Sequence, residues 1–338
     1  MPKNLSLQIT SLSQSKSILF IGNALVDIFT GADSNTASSY GMENAVQVLE
    51  INELQKVIAE LRKGGQLGKN QNEGLIELSG GGAANSARIC ALLGVKSIFA
   101  GSIGLDSNGE LFKKELDKAG VELKLKEVKS PTGICLYLKT EKEKRIAISP
   151  SAALELSEDD IKEEDIKNAA IIYIDGFLLG RKNLVKHIIE FAKKHDKTIA
   201  LDFGSVYYVN NYGQEMLDYI KDATSILFLN KEEADALSNN KIEEFFTSLS
   251  SGNDVIINVK LGSLGALSFK NGIMYRAAAE ALQNAEATGA GDAFSAGFLY
   301  AYLGGKATPA CLDIANKTAR LVLAKEGVQV ERKDFTGF

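Results

Sequence analysis

The chain has 338 residues, 45% of them hydrophobic, with 38 Lys and Arg against 43 Asp and Glu. A net charge of −5 argues against any general attraction to nucleic acid or anionic lipid, and no run of 18 apolar residues is present to span a membrane. Cys90, Cys135 and Cys311 are far apart and form no C-x-x-C pair, so they indicate neither a disulfide framework nor a cysteine zinc site; a reducing, cytoplasmic setting fits.

Residues 1–16 are Ser-rich and are expected to be a flexible end. A β-rich run follows at 17–22 (SILFIG), and Asp27 stands near its end in GNALVD, either as a plain turn residue or where ligands bind in open α/β sheets. Segments 36–52 and 74–79 break the later rhythm, as does 124–149, which reads as a hairpin whose LYLKT and RIAIS flank a charged tip at 141–144. Further apolar runs lie at 171–175, 198–203, 225–230 and 254–260, separated by helical patterns at 181–194, 212–222 and 231–251. That alternation predicts an α/β fold with a mostly parallel sheet and helices on both faces. The expected organisation is one large domain over 17–330, with a discontinuous β lid built from about 36–52, 74–79 and 124–149.

Two glycine clusters each lead into a helical pattern. Gly80-Gly81-Gly82-Ala83-Ala84-Asn85 would let a ligand approach the backbone, with Asn85 offering donor and acceptor; a loop that merely needs small residues is the alternative. In Ala287-Thr288-Gly289-Ala290-Gly291-Asp292, the amides of Gly289, Ala290 and Gly291 would point outward from a helix N-terminus, which suits an anion. Asp292 in the first turn would be held ionised there, as a proton acceptor for an attacking hydroxyl or simply as a complement to the helix dipole. Asn230, in Asn230-Lys231-Glu232-Glu233 after the run at 225–230, could simply cap a helix, and Lys260 to Gly265 could be a hairpin turn. His187 and His195 supply no metal triad. No Walker phosphate loop, dinucleotide glycine fingerprint or G-x-S-x-G elbow is present.

In this combination, GGGAANSARICALLG at 80–94 and ATGAGDAFSAGFLYAYL at 287–303 resemble the two signatures of the ribokinase-like, or PfkB, family of sugar and nucleoside kinases. The resemblance implies a Rossmann-like domain with a small β lid, ATP and Mg²⁺ as cofactors, and a small-molecule sugar or nucleoside as partner. Asp292 then matches the catalytic base, with Gly289, Ala290 and Gly291 as the anion hole. Asn23, Asp27, Gly81, Gly82 and Asn85 match positions that hold the acceptor's hydroxyls. Asn230 and Glu233 match the N-x-x-E motif that organises Mg²⁺ through water, Lys260, Gly262 and Gly265 the nucleotide loop, and Asn316 the asparagine near the adenine. GNALVDI and RIAISPSAALELS look more like the adenosine-kinase-like branch, while of D-x-N-x-R only Asp202 is kept. A monovalent-cation site would fall near residue 286, where Glu286-Ala287 replaces Asp-Thr. A silent nucleotide-binding sensor is the alternative function, and the exposed lid edge could pair in a homodimer, as lids do in part of the family, an assembly that sequence alone does not decide.

Overall fold

A computed structural model describes residues 17–31, 37, 38, 40, 42, 45–63, 75–140, 144–220, 223–280, 282, 288–325 and 328–338. In chain order the strands are β1 Ser17–Ile21, β2 Leu25–Gly31, β3 Val46–Val48, β4 Ile76–Gly80, β5 Lys96–Gly104, β6 Glu122–Val128, β7 Gly133–Lys139, β8 Lys144–Ser149, β9 Ile171–Asp175, β10 Thr198–Asp202, β11 Ser225–Asn230, β12 Val255–Lys260, β13 Ala266–Lys270 and β14 Ile273–Ala277. The helices are α1 Ile51–Lys63, α2 Gly82–Leu92, α3 Ser107–Ala119, α4 Glu163–Asn168, α5 Lys182–Lys194, α6 Val206–Ile220, α7 Lys231–Ser238, α8 Ile242–Ser250, α9 Ala290–Leu303 and α10 Thr308–Leu323.

Nine strands form one sheet in the order β14-β13-β12-β11-β10-β9-β1-β5-β6, parallel except where β13 and β14 are added antiparallel. The continuous apolar runs explain the double covering. Ile18 and Phe20 pack under α2, α9 and α10, with Ala87, Phe298 and Leu312; Leu19 and Ile21 pack on the other face with Leu184 of α5, Met216 of α6 and Phe246 of α8. The five-stranded sheet has the order β3-β8-β7-β2-β4. One face is closed by Leu54, Ile58 and Leu61 of α1 against Val26, Ile134 and Leu136. Among the described residues no helix is long and apolar enough to cross a membrane, and all three cysteines are buried and free.

Three expectations are redrawn. The segment from 124 does not begin the small-sheet hairpin, because β6 pairs parallel with β5 at the edge of the large sheet, where its ELKLKEV alternation leaves one side to solvent. The apolar run after Gly22 leaves the large sheet altogether, and β2 lies in the small sheet between β7 and β4. Finally, the helical pattern at 231–251 is two helices, broken where Asn239 and Asn240 adopt left-handed φ of 52° and 62°. Residues 141–143 of the charged tip lie outside the described residues.

Candidate active site

Strands β1, β9, β10, β11 and β12 all end on one side of the large sheet, and the side chains that follow them converge with the start of α9. Gly289 is the N-cap of α9 with φ 79°, and a Cβ there would stand 2.3 Å from Val328 Cγ2, so only glycine fits the turn. The N–H groups of that first turn have no intrahelical partner and carry the positive end of the helix dipole.

Asp292 is held in this first turn from across the molecule. Asn85 Nδ2 donates to its carboxylate at 2.9 Å, and Ser86 Oγ donates to its backbone carbonyl at 3.2 Å. A Cβ on Gly82 would approach Asp292 Oδ1 to 3.2 Å, which brings the start of α2 close against that carboxyl. The two glycine clusters of the sequence are therefore opposite walls of one site. Burial pushes the Asp292 carboxyl up to about 8, the Asn85 donor pulls it down, and nearby Asp202 and Asp175 add to the rise. The resting carboxyl thus holds its proton at neutral pH, against the expectation that the helix end keeps it ionised: loss of hydration outweighs the dipole.

Behind Asp292 lies a charged network. Lys260 Nζ donates to both oxygens of Asp202, at 3.0 and 2.9 Å, and Ser295 Oγ donates to Asp202 Oδ2 at 2.8 Å. Burial disfavours the Lys260 ammonium, but Asp202 and Glu233 outweigh it and raise its pKa. A Cβ on Gly291 would stand 3.6 Å from Lys260 Nζ, which places this cation beside the helix end. Asn230 and Glu233 cap α7 reciprocally: Asn230 N and Nδ2 donate to the Glu233 carboxylate at 2.9 and 2.8 Å, and Glu233 N donates back to Asn230 Oδ1 at 2.8 Å. Burial first, and then Asp202, lift Glu233 to about 7.

Next to this network opens a cavity of about 250 Å³, whose lining includes Lys260, Gly262, Gly265, Gly291, Phe294 and Asn316. The Lys260 to Gly265 segment is indeed a hairpin turn joining β12 to β13, and it also forms a wall of the cavity. Gly265 has φ 91°, and a Cβ would meet the Ala277 carbonyl at 2.0 Å. Asn316 Nδ2 donates to the carbonyls of Ala277 and Ala278 at 3.4 and 3.3 Å.

The remaining side is made by Asn23, Asp27 and the Gly80 to Asn85 loop. Asp27 and Asn23 are both buried. A Cβ on Gly80 would sit 2.2 Å from Asp27 Cγ, and one on Gly81, where φ is 97°, would sit 2.2 Å from the Asn23 carbonyl. Burial pushes Asp27 up to about 7, with Arg88 and Lys144 pulling it down. Lys144 itself crosses from β8 to hydrogen-bond Thr288 Oγ1, just before the α9 turn.

The structure thus brings Gly82 and Asn85 against Asp292, sets Asn23 and Asp27 beside Gly81 and Gly80, and lines one cavity with Lys260, Gly262, Gly265 and Asn316. Four participants were missed. Asp175 accepts from Phe177 N at 3.0 Å and from Ala83 N at 3.4 Å, and burial lifts it to about 6. Asp202 was noticed only as a motif remnant, and Ser295 and Arg181 not at all. Asp175 and Asp202 end their strands, the place the sequence suggested for Asp27, which instead lies within β2 of the small sheet. The histidines stay outside: His187 bonds the Ile161 carbonyl at 3.0 Å and His195 bonds Glu163 at 2.7 Å. Residues 286 and 287, the expected cation position, are not among those described.

Asp175, Asp202 and Glu233 bring carboxyl oxygens together near Lys260, and oxygen donors of this kind suit a divalent cation. Among the described residues no three ligating side chains stand close enough to hold one directly.

A profile for pfkB family carbohydrate kinases matches residues 58–334. An ATP-dependent ribose-1-phosphate kinase from Halopiger xanaduensis is 28% identical over 253 residues, covering 74% of this chain and 82% of that protein. An adenosine kinase from Dictyostelium discoideum is 24% identical over 342 residues, covering 93% and 96%. The crystal structure of adenosine kinase from Sinorhizobium meliloti superposes with a TM-score of 0.81 at 25% identity, covering 94% of this chain and 97% of that one. The chain belongs to the pfkB family of carbohydrate kinases, has the ribokinase-like fold, and is a phosphotransferase acting on an alcohol group of a sugar or nucleoside.

Proposed function

We propose that the protein transfers the γ-phosphoryl group of ATP to a primary hydroxyl of a nucleoside or of a ribose- or fructose-type sugar. The observation that carries this reading is the Asp292 carboxyl, fixed by Asn85 at 2.9 Å within the first turn of α9 and flanked by Gly289, Ala290 and Gly291. An acceptor hydroxyl between Asn23, Asp27 and Asn85 meets that carboxyl, which takes its proton as the oxygen attacks phosphorus in line. The α9 amides and Lys260 face the charge that develops on the phosphoryl oxygens. Gly262, Gly265 and Asn316 line the cavity for the nucleotide. Mg²⁺, held through water by Glu233 near Asp202, would neutralise phosphate charge. Lys144 spans from the small sheet to Thr288, so this sheet serves as a lid that excludes water.

Support for the adenosine-like branch comes from the similarity to adenosine kinases along most of the chain. The exposed edge strand β3, with Val46 and Val48 62% and 73% exposed, offers pairing to a second copy. Buried free cysteines support a reducing, cytoplasmic setting. The test is ADP release from MgATP with adenosine, other nucleosides, ribose, fructose and keto-deoxy sugar acids in turn. One acceptor should stand out; ligand-induced stabilisation without ADP from any of them would favour a sensor instead.

A further inference from the structure

Arg181, the residue before α5, reaches back to the acceptor side of the site. Its NH2 group donates to Asn23 Oδ1 at 2.6 Å, while NH1 donates to the carbonyls of Ala153 at 2.7 Å and Leu156 at 3.5 Å. Those carbonyls belong to the short helical turn Ser151–Glu155 and its end, which follow β8 directly. The guanidinium is thus anchored on one side by backbone and presents its remaining edge to Asn23. Its Nε is buried without a partner among the described residues, and Asp175 supplies the nearby negative charge that favours the guanidinium.

A guanidinium has donors and no acceptor, so the amide atom facing it must be the carbonyl oxygen of Asn23. A flip of that amide would set two N–H donors against a cation in a buried place, since Asn23 is only 7% exposed. Asn23 Nδ2 is therefore turned away from Arg181, and it has no partner among the described residues. We propose that Arg181 is a positioning residue that locks Asn23 as a donor, so that the acceptor must bring an oxygen lone pair to Asn23 Nδ2. This rests on the reading of Asn23 as part of the acceptor site. It selects acceptors by what they carry there: a hydroxyl or ring oxygen satisfies the amide, whereas a deoxy analogue gives it no partner.

Two measurements test it. The first needs no acceptor: melting of the wild type, N23D, R181M and N23D/R181M. Because an oxygen already faces Arg181, N23D should melt no lower than the wild type, whereas in the R181M background the same change should lower the melting point by several degrees. Additive shifts would overturn the link. The second is the KM and kcat of ADP release with adenosine and with D-ribose. N23D, with its donor gone, and R181M, with its amide released, should each raise acceptor KM tenfold or more while R181M keeps kcat within about threefold; R181K should recover part of the loss. Coupled melting with an unchanged acceptor KM in N23D would overturn the donor assignment. If N23A leaves KM unchanged, or neither compound is phosphorylated, the acceptor reading fails, and the melting cycle alone decides the Arg181 to Asn23 link.

Discussion

The two ends of the site hold their groups by different physics. At the phosphate end the parts are charges and backbone: the unpaired amides of α9, Lys260 bound to both oxygens of Asp202, and the reciprocal cap of Asn230 and Glu233. At the acceptor end the parts are side chains fitted against glycines and against one another, with Asp27 lying where Gly80 lacks a Cβ and Asn23 orientated by the Arg181 guanidinium. A phosphoryl group is a diffuse charge and is well served by electrostatics from several directions. A hydroxyl needs a donor and an acceptor at defined angles, so shape and amide orientation matter more there.

Breaking the junction between the two ends should have the largest effect. Asp292→Asn should keep the fold and lower kcat by about 10²- to 10⁴-fold, the usual span for a general base; turnover near the wild-type level would show that another group takes the proton. At the phosphate end, Lys260→Met strands the Asp202 carboxylate in a buried place. It should cost about 3 kcal/mol in denaturant unfolding, and Asp202→Asn in the same chain should restore much of that.

The pH profile sharpens the comparison. Because the Asp292 carboxyl sits at about 8 and must be unprotonated to accept, kcat/KM should climb roughly tenfold per pH unit from pH 6 and level off above about 8. A flat profile over that range would detach the chemistry from this carboxyl. The same shift, raised from 3.8, favours the protonated folded state, so its contribution to stability is full below about 4 and is lost as pH rises through about 8. Melting points of Asp292→Asn should accordingly fall less than those of the wild type between pH 6 and 9.

The smallest and most selective effects should come from two glycines. Gly80→Ala drives a methyl into the Asp27 carboxyl, and Gly265→Ala drives one into the Ala277 carbonyl from a left-handed backbone. The first should raise the KM of the acceptor by several-fold with little change for ATP, and the second should do the reverse. Each costs on the order of 1–3 kcal/mol of stability. Equal effects on both substrates would mean that the two ends are not separable.

The same contrast explains what could be read from the sequence. The core strands at 17–22, 171–175, 198–203, 225–230 and 254–260 were visible because a strand buried on both faces must be apolar throughout, and the α9 turn was visible because its glycines and Asp292 are adjacent. Strand β2 was not assigned to its sheet, since LVDIFTG follows β1 after only three residues and the turn at 22–24 alone sends it to the small sheet. Strand β6 was misplaced because an alternating pattern marks one exposed face without saying which sheet owns it. Arg181 was hidden for another reason: 158 residues separate it from Asn23, and no local pattern announces a contact that only the fold creates.

The bond from Asn85 to Asp292 joins residues 207 positions apart, and Ser86 to Asp292 and Cys90 to Ala296 join α2 to α9 across 206. Closing so large a loop is an entropic debt settled late in folding, after the local βαβ units have formed. During synthesis from the N-terminus, the acceptor side is already outside the ribosome while the helix that carries Asp292 is still unmade. Half-made chains can bury their first strands but lack Asp292 altogether, so on the proposed role of that carboxyl, competence for phosphoryl transfer arrives in one late step.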